Sequence, residues 1–162
     1  MKMKHIFSIS FPMLAILVAS CGSLPGQHSE NTQLIFPKGE RITNDNFEGN
    51  VYLQQLVSPD SLNSTQVGNV TFAPGARTKW HYHPGGQILL ATGGVGYYQE
   101  KGRPKVILRK GDVIKCPPNV PHWHGASADT GFIQVAITNT QNGPTIWLQA
   151  VTDKEYRAEA KK

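Results

Sequence analysis

Apolar side chains along this chain recur at every second position, in short runs cut off by glycine, proline and asparagine. Alternation of that kind puts one face of a strand in a core and the other in water. The runs predict strands over 51–57, 66–73, 78–83, 87–92, 95–100, 105–108 and 113–114. Shorter extended segments follow at 121–125, 131–138 and 145–151. The dividers are turn formers: Pro74-Gly75, Pro84-Gly85-Gly86, Gly93-Gly94, Lys101 to Pro104, Pro117-Pro118-Asn119 and Asn142-Gly143-Pro144. One segment breaks the pattern. Thr152 and Glu155 are spaced as a capping box, in which hydroxyl and carboxylate satisfy the free amides of a first helical turn. A short C-terminal helix is expected from there to about Ala160, with Lys161 and Lys162 at its negative end. Many short strands between frequent turns make an all-β barrel or sandwich the expected fold class.

The amino terminus follows different rules. Lys2 and Lys4 precede an apolar run from Ile6 to Ala19. The run is too short for a spanning helix and ends in small residues, as a secretion signal does. Val18-Ala19-Ser20-Cys21 resembles the bacterial lipoprotein lipobox, in which the cysteine is lipidated and becomes the mature first residue. The expected organisation is a signal peptide at 1–20, a polar tether at 21–40 and one domain at 41–162. The resemblance implies export and a lipid anchor on the bacterial envelope through Cys21. Gly22, standing where an aspartate would retain the protein at the inner membrane, favours the outer membrane.

Composition changes this picture little. The chain has 162 residues, a length that suits one domain with a real core. Its net charge of +5 falls to +3 without Lys2 and Lys4. The remaining basic residues are scattered apart from those between Lys101 and Lys110, which read as a solvated hairpin. No basic-patch motif points to nucleic acid. If Cys21 is lipidated, Cys116 has no partner for an intrachain disulfide, and its place in an apolar run reads as a small buried side chain. His28 falls in the tether and is read as solvated.

The candidate chemistry lies in histidine pairs. Of six histidines, four form His81/His83 and His122/His124. Residues two apart on a strand share a face, so each pair can point one way. Gln87 follows the first pair across a glycine-rich turn. Core packing does not explain such clustering, and nitrogen and oxygen donors suit a divalent metal. Trp80, Tyr82 and Trp123 have the opposite parity and are expected in the core or at a subunit interface.

The stretch Gly75 to Gly94 matches the first cupin motif, Gly-x5-His-x-His-x3-Glu-x6-Gly, with Gln87 in place of the glutamate. Gly111, Pro117 and His122 match the second motif, while Asn119 stands where glycine is expected and Ala126 where asparagine is. The wording Pro74-Gly-Ala-Arg-Thr78, with Pro121-His-Trp-His-Gly-Ala126 and Val151 to Tyr156, resembles a subgroup of small cupins that includes manganese-dependent hydroxynitrile lyases. The resemblance implies a jelly-roll barrel with a metal on His81, His83, Gln87 and His122. It implies manganese first, with iron, zinc, cobalt or nickel as alternatives. It gives His124 the proton-transfer role, with a pKa near 6.5 if it is free to titrate; a hydrogen-bonding role beside the metal is the alternative. Gln134 falls in the substrate pocket, and a glutamine there cannot act as a base. A small-molecule substrate and a homodimer follow from the same resemblance. A C–C lyase, of hydroxynitrile or aldol type, is the leading expectation. A dioxygenase, a sugar-acid isomerase or lyase, and a non-catalytic binding barrel remain open.

Overall fold

Strand alternation builds nearly all the regular structure of this protein, in a computed structural model that describes residues 34–161. The expected signal peptide, Cys21, His28 and most of the tether lie outside the described residues. The strands are β1 (Glu40–Arg41), β2 (Phe47–Glu48), β3 (Val51–Val57), β4 (Thr65–Phe72), β5 (Arg77–Thr78), β6 (His81–Tyr82) and β7 (Gln87–Glu100). They continue with β8 (Lys105–Arg109), β9 (Val113–Cys116), β10 (His122–Ala126), β11 (Phe132–Asn139), β12 (Ile146–Trp147) and β13 (Ala160–Lys161). The helix α1 (Asp153–Arg157) precedes β13.

Two curved sheets share one long strand. The first half of β7 pairs with β11 and β9, and β11 continues through β4 and β3 to β1. The second half of β7 pairs with β8 and β10, and β10 continues to β5 and β6. The sequence pattern predicted two strands broken at Gly93-Gly94. The structure has one bent strand of 14 residues instead. Gly94 explains the difference. It takes φ 72°, and a Cβ there would run into the Gly131 carbonyl. A glycine in this conformation bends a strand without ending it. The bend closes the two sheets into the barrel wall.

The core has two parts, the first between the inward faces and the second on the opposite face of β10, beneath α1. Phe72, Leu89, Tyr98, Leu108, Cys116 and Phe132 form one buried cluster, and Trp80, Trp123, Val151 and Tyr156 form a second. Trp80 and Trp123 therefore fill core, as their parity suggested, whereas Tyr82 is only half-buried. The second cluster clamps α1. Thr152 and Glu155 form the capping box, and the Glu155 carboxylate also meets Lys101 and the Trp80 indole. The helix is shorter than expected. It ends at Arg157, because Ala160 and Lys161 pair in parallel with β8.

Lys105 also departs from expectation. It is buried rather than solvated; its ammonium donates to the Tyr156 carbonyl and lies 4.0 Å from the Tyr97 ring centre. Its methylene stem suits the apolar wall while its charge finds a carbonyl and a π face. Near the start of the domain, the Asn69 amide donates to the Pro37 carbonyl and Lys38 sits over the Tyr52 ring, so the chain already packs on the sheet there.

Candidate metal centre

The segment expected as one strand over 78–83 is two short pieces, β5 and β6, and His83 falls in the turn that follows. The two imidazoles still converge. His81 is aligned with His122 across β6 and β10, and their ring centres are 4.5 Å apart. His83 lies 5.1 Å from His81 and 5.5 Å from His122, centre to centre. One ligand atom from each of the three lies within 4.8 Å of the others. Gly86, at φ 78°, turns the chain from His83 into β7, and its amide donates to the His83 carbonyl. That places Gln87 at the head of β7, buried beside the histidines. Asn119 occupies the left-handed region at φ 60° and donates its amide to the same His83 carbonyl. Asparagine is one of the few non-glycine residues that adopt this conformation readily, which explains how it replaces the motif's glycine.

Each ligand candidate is oriented from behind. His81 Nδ1 contacts the Lys79 carbonyl at 2.9 Å, and His122 Nδ1 contacts the Val120 carbonyl at 2.9 Å. His83 Nδ1 contacts the Thr145 hydroxyl at 3.1 Å. A carbonyl only accepts, so His81 and His122 carry their proton on Nδ1 and turn the Nε2 lone pair inward. The Gln87 amide nitrogen donates to Thr138 Oγ1 at 2.9 Å, which turns Oε1 inward as well. His83 Nε2, His122 Nε2 and Gln87 Oε1 are buried with no hydrogen-bond partner. Unpaired buried polar atoms are costly, and a divalent cation would satisfy these acceptors together. The donor set therefore fits the expected metal.

Burial keeps these imidazoles neutral. It is the largest cause of the low pKa at His81 and His122, and it holds His83 down to about 4. His124 is not free to titrate near 6.5. Burial first, then His122 and His83, push it well below the ordinary histidine value. Its ring centre is 5.2 Å from that of His81, beside the three-histidine cluster. Its Nδ1 contacts the Gln134 amide nitrogen at 3.0 Å. Gln134 is completely buried and touches the site through His124. Cys116 is buried too, and burial pushes its thiol up to about 12, so it is no thiolate nucleophile.

A cavity of about 260 Å³ opens on this cluster. Its walls include Ile42, Phe47, Leu53, Val70, Ala136 and Trp147, and its polar end carries His81, His83, Gln87, His124, Thr138 and Thr145. Among the described residues no lysine, arginine, aspartate or glutamate lines it. Phe47 and Trp147 meet edge to face at 5.4 Å, and Trp147 lies 4.8 Å from the His81 ring. Sequence reasoning missed Thr138, Thr145, Phe47 and Trp147. Thr138 was findable, since it shares the parity of Gln134 on β11; the others come from separate segments with no local signature.

Comparison with known proteins agrees with this geometry. The Cupin domain family matches residues 68–138, which include the three histidines of the cluster, Gln87 and His124. An (R)-mandelonitrile lyase of Granulicella tundricola is 39% identical over 114 residues, covering 70% of this chain and 87% of that protein. The crystal structure of a cupin-like protein from Thermotoga maritima superposes with a TM-score of 0.75 at 50% identity, over 77% of this chain and 96% of that one. A second T. maritima protein, described as a predicted oxalate decarboxylase, shares the fold at a TM-score of 0.55 and 24% identity, over 67% of this chain and 91% of its own. The histidine cluster, the bent shared strand and these relatives together make this chain a member of the cupin family, a small cupin similar to hydroxynitrile lyases.

Proposed function

We propose that the protein is a metal-dependent lyase that makes or breaks a C–C bond next to an oxygen, on a small uncharged molecule with an apolar body. The observation that carries this reading is the cavity: largely apolar and aromatic walls with the neutral polar side chains of Asn44, Gln66 and Thr78, no charged side chain among the described residues, and the imidazoles and Gln87 of the cluster. The similarity to a mandelonitrile lyase points the same way. Phe47 and Trp147 would hold an aromatic or branched body. His81, His83, Gln87 and His122 would hold the metal, manganese by resemblance. With Gln87 in place of a glutamate the ligand set stays neutral, so a bound divalent ion keeps its charge and acts as a Lewis acid towards oxygen. His124, beside the cluster, would manage the proton at that oxygen. Walls without a cation fit an uncharged substrate better than a sugar acid.

The test is turnover of mandelonitrile, and its synthesis from benzaldehyde and cyanide, by manganese-loaded protein. Activity well above that of free manganese is expected, with His124→Ala lowering kcat by about 10²- to 10⁴-fold, the range of a positioned acid–base group. A rate equal to that of the free metal overturns the reading.

We also propose export with a lipid anchor at Cys21, outer membrane favoured, on the lipobox resemblance. Pairing of two copies through the outer face of the β7–β9 sheet is proposed too, because Ile88 and Val113 are exposed there. The mass of the N-terminal peptide and sedimentation equilibrium check these two points; an unmodified Cys21 or a monomer at micromolar concentration would refute them.

A further inference from the structure

The four imidazoles of the site are not held alike. His81 and His122 each face a backbone carbonyl with Nδ1, which leaves only the Nε2 lone pair for the cavity. His124 faces an amide nitrogen instead. Gln134 Nε2 lies 3.0 Å from His124 Nδ1, and an amide N–H only donates. His124 Nδ1 must then accept, and in the neutral ring the proton sits on Nε2. That atom is buried without a partner.

The orientation of the Gln134 amide decides this, and burial decides the orientation. Turned the other way, the side-chain oxygen would accept from Nδ1–H, and the amide nitrogen would take the buried place of Oε1, where its two hydrogens have no access to water. As it stands, the unpartnered heavy atom is the carbonyl oxygen Oε1. Under-used buried carbonyls are tolerated better than orphaned buried N–H groups. The surroundings also fix the ring. The His124 backbone amide donates to Thr78 Oγ1 at 3.2 Å, and the Phe72 ring meets the imidazole edge to face at 5.7 Å.

We infer that Gln134 is a positioning residue that locks His124 in the Nε2–H tautomer, opposite to that of His81 and His122. The site then sorts its imidazoles by what stands behind them. Those backed by carbonyls offer lone pairs to a cation. The one backed by an amide offers an N–H to a ligand oxygen. In its resting form His124 is not a fourth imidazole ligand, and it presents a proton rather than a lone pair, so its acid–base role starts from donation. It donates a hydrogen bond to an acceptor oxygen, such as a carbonyl or alkoxide, entering the apolar cavity. Only that ligand role rests on the proposed lyase reading; the tautomer stands apart from it.

Two-bond ¹⁵N–¹H correlation spectra of histidine-labelled, metal-free full-length protein at pH 8 read each tautomer directly. In the wild type, His81 and His122 should be protonated at Nδ1 and His124 at Nε2. Gln134→Glu offers only acceptor oxygens and should move the His124 proton to Nδ1, leaving the other histidine signals in place. Gln134→Met, which removes the donor with little change of volume, should show both tautomers. Nδ1 protonation of His124 in the wild type, averaging between the two forms, or a His124 signal unmoved in Gln134→Glu would each overturn the inference. None of these outcomes depends on mandelonitrile turnover, so the tautomer can fail while the lyase reading stands, and the reverse.

Discussion

At the scale of residues, the site depends as much on side chains behind the ligands as on the ligands. Thr138 Oγ1 accepts the Gln87 amide and so decides which end of that amide faces the imidazoles. Thr138→Val keeps the shape of the wall and removes the acceptor. Metal affinity is expected to fall by about 10- to 100-fold, the usual effect of losing a partner behind a ligand, as calorimetric titration with Mn(II) would measure. An unchanged affinity would mean that Gln87 is not a ligand. The ligand pairs themselves were legible from parity alone, since His81 and His83 turn to one side of an extended segment even where the strand is interrupted. Parity with Gln134 could place Thr138 on the inward face of β11, but could not show its bond to Gln87. Thr138 lies 51 residues from Gln87 along the chain, and nothing local joins them. The acid–base behaviour of His124 was not legible either: its pKa depends on burial, which β10 alone does not report.

At the scale of elements, the C-terminal helix shows what is local and what is not. Its start was readable because Thr152 and Glu155 cap each other within one turn. Thr152→Ala is expected to cost about 1 kcal/mol, measurable as a lower denaturant midpoint with an unchanged slope. Glu155 gives the cap a pH dependence. Burial is the largest single cause and raises its pKa, but Lys101, the Thr152 amide and hydroxyl and the Trp80 indole together outweigh it and bring the value to about 2. A carboxylate whose pKa falls on folding stabilises the native state above its unfolded value near 4.5. That contribution is lost as the pH drops from there towards 2. Glu155→Gln should therefore lower stability at pH 7 and make little difference at pH 2. The helix end was not readable, because β13 docks on β8, more than fifty residues earlier in the chain. The bend in β7 was misread for a related reason. A Gly-Gly pair is the same signal for a strand end and for a strand corner, and only pairing on both sides of Gly94 decides between them.

At the scale of the whole molecule, the barrel brings together imidazoles from β6, the following turn and β10, and the inward Nε2 atoms of His83 and His122 have no hydrogen-bond partner among the described residues. Metal should therefore stabilise the fold as well as complete the site. Stabilisation of about 2.7 kcal/mol is expected with free metal at a hundredfold excess over its dissociation constant. The check is a melting temperature that falls on treatment with a chelator, with His81→Ala abolishing the difference. The sequence by itself determined the fold class, the helix cap and the pairing of histidines that the barrel gathers into the cluster of His81, His83 and His122. These are short-range matters: alternation, turn chemistry and parity act over a few residues, and a motif records them directly. Tertiary structure alone decided that β7 serves both sheets, that Lys105 is buried, that no charged side chain among the described residues lines the cavity and that His124 answers to Gln134. Each of these depends on which distant segment packs alongside, and therefore on burial and on hydrogen-bond partners supplied across the barrel.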